Sequence, residues 1–173
     1  MPLHPFNGIV PKLDPTAWVA PGAQVIGDVE MGAESSVWYN VVVRGDVMPI
    51  RIGARSNIQD GSIVHVTRGL AATSIGDDVL VGHMAIIHGC TLMDRSFVGL
   101  GGIVMDDCVI EPEGMLGAGS LLSPGKRIGP RELWLGRPAK LVRMLDDADV
   151  ARNAAGATGY VALARLHRAS ASG

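Results

Sequence analysis

The chain is short of aromatic residues: three Trp, two Tyr and two Phe make up 4% of its 173 residues. That argues against a wide core anchored by large rings, even though 47% of the residues are hydrophobic. Cysteine is equally scarce, and Cys90 and Cys108 alone cannot build a secreted disulfide framework. Neither sign of charge dominates, with 15 basic and 17 acidic residues scattered to a net charge of −2. No basic patch points to nucleic acid, and no polybasic run points to an anionic membrane. No apolar run approaches membrane-spanning length, and the opening MPLHPFNG holds no apolar core of signal-peptide length. The expectation is a soluble cytoplasmic protein of one domain with at most a short appendage, without nucleic-acid or membrane partners.

What is plentiful is glycine, 23 residues against a norm of about 7%. The aliphatic residues recur with a period of six. Val19, Val25, Met31, Val37 and Val43 are spaced in this way, with Ala23, Val29, Ser35, Val41 and Val47 four positions after each. The pattern breaks at Met48-Pro49-Ile50 and resumes at Ile52, Ile58 and Val64. After the loop TRGLAAT come Ile75, Val81 and Ile87, while a neighbouring frame runs Leu80, Ile86, Leu92 and on in sixes to Ile128. Either frame fits between 75 and 92. A period of six is neither helical nor a two-residue alternation. It predicts an all-β chain, a parallel β-helix of hexapeptide repeats closing a triangular prism, with about 18 residues per coil. Gly27, Gly32, Gly45, Gly53, Gly76 and Gly82 recur where corners need positive φ.

The repeat ends near Ile128. LGRPAKLVRML reads as an extended exit, and 146–169 as a C-terminal α-helix with an acidic start and a basic end. Its apolar positions are Val150, Ala154, Ala157, Val161 and Ala164, while Gly156 and Gly159 weaken it. The Ser-Ala-Ser-Gly tail reads as loose. The expected organisation is an N-terminal segment 1–18, the β-helix 19–130, and the exit, helix and tail 131–173.

Three of the five histidines fall inside the repeat; His4 and His167 lie outside it. His65 precedes His83 by 18 residues, so SIVHV and LVGHM are expected to stack on neighbouring coils, with His88 around the next corner. A lone corner histidine is usually a solvated polar residue, but three on one edge without a sulfur ligand resemble an all-histidine metal site. Imidazole suits Zn²⁺, and Fe²⁺ or Co²⁺ also fit. Three protein ligands leave the open position that a catalytic metal needs. Upstream, VVVRGDV carries Arg44 and Asp46, and SNIQDGSIVH carries Asn57, Gln59 and Asp60. These polar groups could orient ligands or water, or could be ordinary corner residues.

RGD, then NIQDGSIVH, then GHMAIIHGC resembles the gamma-class carbonic anhydrases and the bacterial gamma carbonic anhydrase-like hexapeptide-repeat proteins over essentially the whole chain. The resemblance implies a homotrimer of left-handed parallel β-helices with a metal, Zn²⁺ or else Fe²⁺ or Co²⁺, at each subunit interface. It implies His65 and His88 as metal ligands from one subunit and His83 from its neighbour. It implies an Arg44–Asp46 ion pair across the interface, with Gln59 orienting water and Asn57 and Asp60 supporting it. Tyr160 is similar to the family's tyrosine near the site. The implied reaction is the reversible hydration of CO2 to bicarbonate by a metal-bound hydroxide, the work of a lyase.

The chain departs from the family's best-studied members at the proton path. The loop VTRGLAATS has no carboxylate, Arg68 stands about where a shuttle glutamate would be, and Val47 replaces the glutamate after the RGD aspartate. The metal site is complete in this reading while fast turnover is in doubt. Three alternatives share the fold. One is a hexapeptide-repeat acyltransferase using one histidine as base. Another is a metal-dependent acyl-CoA thioesterase, since the chain is also similar to accessory proteins of phenylacetate and carnitine metabolism. The third is a catalytically weak trimeric scaffold.

Overall fold

The aliphatic periodicity becomes three inward columns, one for each face of a parallel β-solenoid. The computed structural model of the chain describes residues 3–170. Val37, Ile58, Val81, Val98 and Leu116 stack in register on one face. Val25, Val43, Val64, Ile87, Val104 and Leu122 form the second column. Met31, Ile52, Ile75, Leu92, Ile110 and Ile128 form the third. None of these side chains is more than 4% exposed. Burying each contributes about 1.5–3 kcal/mol relative to leaving it in water. Strands Gln24–Met31 and Val42–Ile52 run through a corner, which merges two faces into a 12-stranded sheet beside an 8-stranded one.

The choice between the two frames resolves at the second histidine motif. Ile75, Val81 and Ile87 point inward, and the next inward residue is Leu92, five positions on. Ile86 is half-buried on the outside, and Leu80 is buried against the C-terminal helix instead. The nine-position frame from Leu80 therefore faces the core only from Leu92 onward.

Coil lengths depart from 18 in the same region. Ser36 pairs with Asn57, Asn57 with Leu80 and Leu80 with Phe97, steps of 21, 23 and 17; Phe97 to Met115 returns to 18. Between strands Gln24–Met31 and Val42–Ile52 the register jumps from Gly27↔Gly45 to Val29↔Ile50, so 46–49 bulge out. The loop closed by the Thr67↔Ala71 bridge lengthens the next coil. That shift corrects the expected stacking: His65 pairs with His88, not His83.

The recurring glycines serve mainly a purpose other than the predicted one. Of the six, only Gly27 has positive φ; the left-handed corner residues include Glu34, Asn40, Arg55, Asp78 and Met84. At Gly53 a Cβ would lie 2.4 Å from the Gly76 carbonyl oxygen of the next coil. Parallel strands about 4.8 Å apart leave no room for a side chain pointing along the stack.

The N-terminal segment already joins the solenoid, since Leu3–His4 and Lys12–Leu13 pair with strand Gln24–Met31. The exit is a hairpin, Glu132–Gly136 against Ala139–Met144. The helix spans Asp147–Ser170, and Asp146 caps it by accepting from the Asp149 N–H at 2.8 Å. Arg143 donates to Asp149 at 2.5 Å and lowers that carboxyl to about 2. Ala157 and Ala164 are the buried apolar positions, whereas Ala154 is exposed. Gly156 lets the helix approach Leu80, where a Cβ would stand 3.0 Å from Cδ1. Trp18, Trp38, Tyr39 and Tyr160 gather with His167 outside the coil, between the first face and the helix. The narrow interior therefore excludes rings, and these four aromatic residues glue the helix down. Cys90 and Cys108 are buried free thiols on neighbouring coils, and burial pushes both thiols up. The last three residues of the tail lie outside the described residues.

Candidate metal centre

Two of the three repeat histidines meet. His65 and His88 sit at equivalent positions of adjacent strands, and His65 Nδ1 faces His88 Nε2 at 3.3 Å. Their other nitrogens turn to carboxylates. His65 Nε2 lies 3.0 Å from Asp46 Oδ1, and His88 Nδ1 lies 2.8 Å from Asp106 Oδ1. The groups form a ladder down the edge: carboxylate, imidazole, imidazole, carboxylate. Both rings are more than half buried.

The chemistry of this ladder follows from counting protons. A neutral imidazole has one N–H. Each outer nitrogen must donate to its carboxylate, so both inner nitrogens are bare acceptors aimed at each other. Such a pair needs a positive species between its lone pairs, either a shared proton or a cation. Two nitrogens bound tetrahedrally at 2.0–2.1 Å from zinc are about 3.3 Å apart, the separation found here. The donor set thus fits a divalent metal of the imidazole-preferring kind.

Asp46 owes its place to the first bulge. Burial raises its carboxyl, but hydrogen bonds from His65 and Arg44 outweigh this and leave it below the usual range. Arg44 donates to Asp46 Oδ2 at 2.5 Å within the same chain. Asp106 lies outside the histidine motifs, in VMDDC. It accepts from Thr67 Oγ1 at 3.1 Å, and Thr67 lies at the start of the second insertion. Asp106 stands 18 residues after His88, while the coil step there is 17, from Ile87 to Val104, so it lies just past the position below His88.

His83 stands elsewhere, at a corner with half its wiring repeated. Its Nδ1 lies 2.8 Å from Asp60 Oδ2, and the Tyr160 hydroxyl is 3.4 Å from Nε2. Burial and the charge of Asp60 raise the Tyr160 phenol, which keeps it protonated as a donor. Gln59 Nε2 donates to Asn57 Oδ1 at 3.0 Å. Both amides are at most 4% exposed, and Asn57 Nδ2 has no partner among the described residues. Exposed apolar side chains lie beside this corner: Met84 follows His83 and is 69% exposed, and Leu100 on the next coil is 53% exposed. Among the described residues of one chain, no three His, Cys, Asp or Glu side chains converge on a cation position.

The chain resembles proteins with carbonic anhydrase names. It is 44% identical over 164 residues to mitochondrial gamma carbonic anhydrase 1 of Arabidopsis thaliana, covering 92% of this chain and 60% of that protein. It is 40% identical over 148 residues to a carbonic anhydrase of Geobacillus kaustophilus, covering 86% of this chain and 81% of the relative. Among solved structures, a hexapeptide transferase family protein of Anaplasma phagocytophilum superposes with a TM-score of 0.91. That protein is 46% identical, over 94% of this chain and 96% of its own. The chain spans about three fifths of the length of the plant relatives it matches. No protein-family model matches it. No helix among the described residues is long and apolar enough to cross a membrane.

Proposed function

The chain belongs to the gamma-class carbonic anhydrase family, and from that premise we propose that it catalyses the reversible hydration of CO2 to bicarbonate. His65 and His88 of one subunit and His83 of a neighbour would hold a divalent metal, Zn²⁺ or an Fe²⁺ or Co²⁺ equivalent. A divalent cation there would lower the pKa of water enough to supply hydroxide at neutral pH, an effect best known from another carbonic anhydrase. The observation that carries the proposal is the His65–His88 pair: two carboxylate-backed imidazoles with bare nitrogens facing each other. One chain offers only two such nitrogens at one point. The third, on His83, sits at a half-buried corner beside the exposed side chains of Met84 and, on the next coil, Leu100, apolar surface that a second copy would cover.

This chain's own groups have distinct tasks in that arrangement. Asp46 and Asp60 accept a hydrogen bond from the outer N–H of His65 and His83 and leave each ring's other nitrogen free. Arg44 neutralises Asp46 and keeps it ionised. Tyr160 can donate to His83 Nε2 in the separate chain and must yield that contact when the nitrogen engages a metal. The buried Gln59–Asn57 amide pair, with Asn57 Nδ2 lacking a partner among the described residues, is suited to orienting water. The carboxylates at the histidine pair are engaged with rings, and the loop after His65 carries none. Proton export should therefore depend on solution buffer.

The test is elemental analysis of anaerobically purified protein, followed by CO2/bicarbonate isotope exchange. The expected result is one metal per chain and an exchange rate that rises with added imidazole buffer. Metal-free protein with full exchange activity, or a chain that never takes up metal, would refute the proposal. An acyltransferase reading draws on the name of the Anaplasma structure. It needs one imidazole as base and no metal, so the same metal measurement separates the two.

A further inference from the structure

We infer that Asp106, steadied by Thr67, is the positioning residue that holds the His88 ring with Nδ1 protonated and Nε2 free. The inference rests on the cation-site reading and extends it to residues outside the histidine motifs. Asp106 Oδ1 meets His88 Nδ1 at 2.8 Å, and Thr67 Oγ1 reaches both carboxylate oxygens at 3.2 and 3.1 Å. No arginine or lysine pairs with Asp106 among the described residues. Asp46, by contrast, shares its charge with Arg44. The hydrogen-bond partners of the Asp106 carboxylate are thus the Thr67 hydroxyl and the His88 ring, and its contact with Nδ1 selects the His88 tautomer.

The local backbone is cut to fit this contact. Gly89 follows His88 with φ +54°, and a Cβ there would lie 2.1 Å from Asp106 Oδ1. A side chain at 89 would push the carboxylate away from the ring. The five-residue insertion after Val66 supplies the other half. Its Thr67↔Ala71 bridge closes the loop with the Thr67 hydroxyl over a carboxylate 39 residues further along. The insertion that lacks a shuttle carboxylate thus has a task of its own.

The experiment uses the full chain. Zn²⁺ and Co²⁺ are titrated into metal-free wild type, Asp106→Leu, Asp106→Asn and Thr67→Val. Imidazole ¹⁵N–¹H correlation spectra of the same metal-free proteins report the His88 tautomer. Asp106→Leu should weaken metal binding by roughly 10–100-fold and move His88 toward the Nε2–H form. Asp106→Asn keeps an acceptor for the Nδ1 proton and should recover part of both effects, with Thr67→Val the mildest. The His83 ring should not change in any of them. A folded Asp106→Leu with wild-type affinity and an unmoved His88 tautomer would overturn the inference. Should Asp106→Leu fail to fold, unchanged affinity and tautomer in both Asp106→Asn and Thr67→Val would overturn it instead. Wild type that binds neither metal would defeat the cation-site reading, while the tautomer spectra would still decide the role of Asp106.

Discussion

The coils after Leu92 and those before it follow the same repeat with different fidelity. From Leu92 to Ile128 the inward residues keep sixes, and the coil steps return to 18 once Phe97 is reached. That half lends the site a single side chain, Asp106 on His88, and otherwise carries ion pairs such as Arg95–Glu113 and Arg127–Glu111 on its outside. The earlier coils break the count three times, at 46–49, at the loop after Val66 and at the short step after Ile87. Asp46 comes from the first break, Thr67 from the second, and His88 stands at the third. Regular repetition holds the solenoid together, whereas interruptions release side chains to meet at one point.

Substitutions can break this contrast, beginning where the effect is largest. Ile110→Ala in the regular half should cost about 2–5 kcal/mol through lost burial and a cavity, and metal content should stay at the wild-type value. Denaturant unfolding with metal analysis checks this; loss of metal along with stability would show that the halves are not separable. Asp46→Asn should do the reverse, weakening metal roughly 10–100-fold with little change in the unfolding midpoint of the metal-free protein. Calorimetric metal titration measures it, and unchanged affinity would remove Asp46 from the site.

Smaller effects sharpen the same division at the helix. Asp146→Ala removes the N-cap and should lower stability by about 1 kcal/mol, read from thermal unfolding, without touching metal affinity. Asp149 titrates at about 2 in the folded chain, below the ordinary carboxylate value. A depressed folded pKa means that its stabilisation is intact above pH ~4 and is lost as pH falls toward 2. Trp fluorescence should report loosening of the helix over that window. An Asp149→Asn chain should be weaker at neutral pH and show less change on acidification, and identical pH profiles would contradict the assignment.

The columns and the helix were legible because burial imposes a period that the aliphatics must obey. The histidine partnership was legible only through the family resemblance, not from the period, because counting 18 from His65 leads to His83. Only the extra loop residues, whose register effect no periodicity reveals, bring His88 into place. The corner glycines misled for a related reason, since crowding between coils rather than backbone handedness sets most of them. Asp106 was hidden because its partners are distant in sequence, and a lone aspartate at a corner looks like any other turn residue.

The central claim is that each cation takes two imidazoles from one chain and one from another. Co-refolding His83→Ala chains with His88→Ala chains tests it directly. Each variant alone should bind essentially no zinc, and an equal mixture in random trimers should regain about one quarter of the wild-type content. A mixture that stays metal-free, or a His83→Ala protein that binds stoichiometric zinc by itself, would contradict the account.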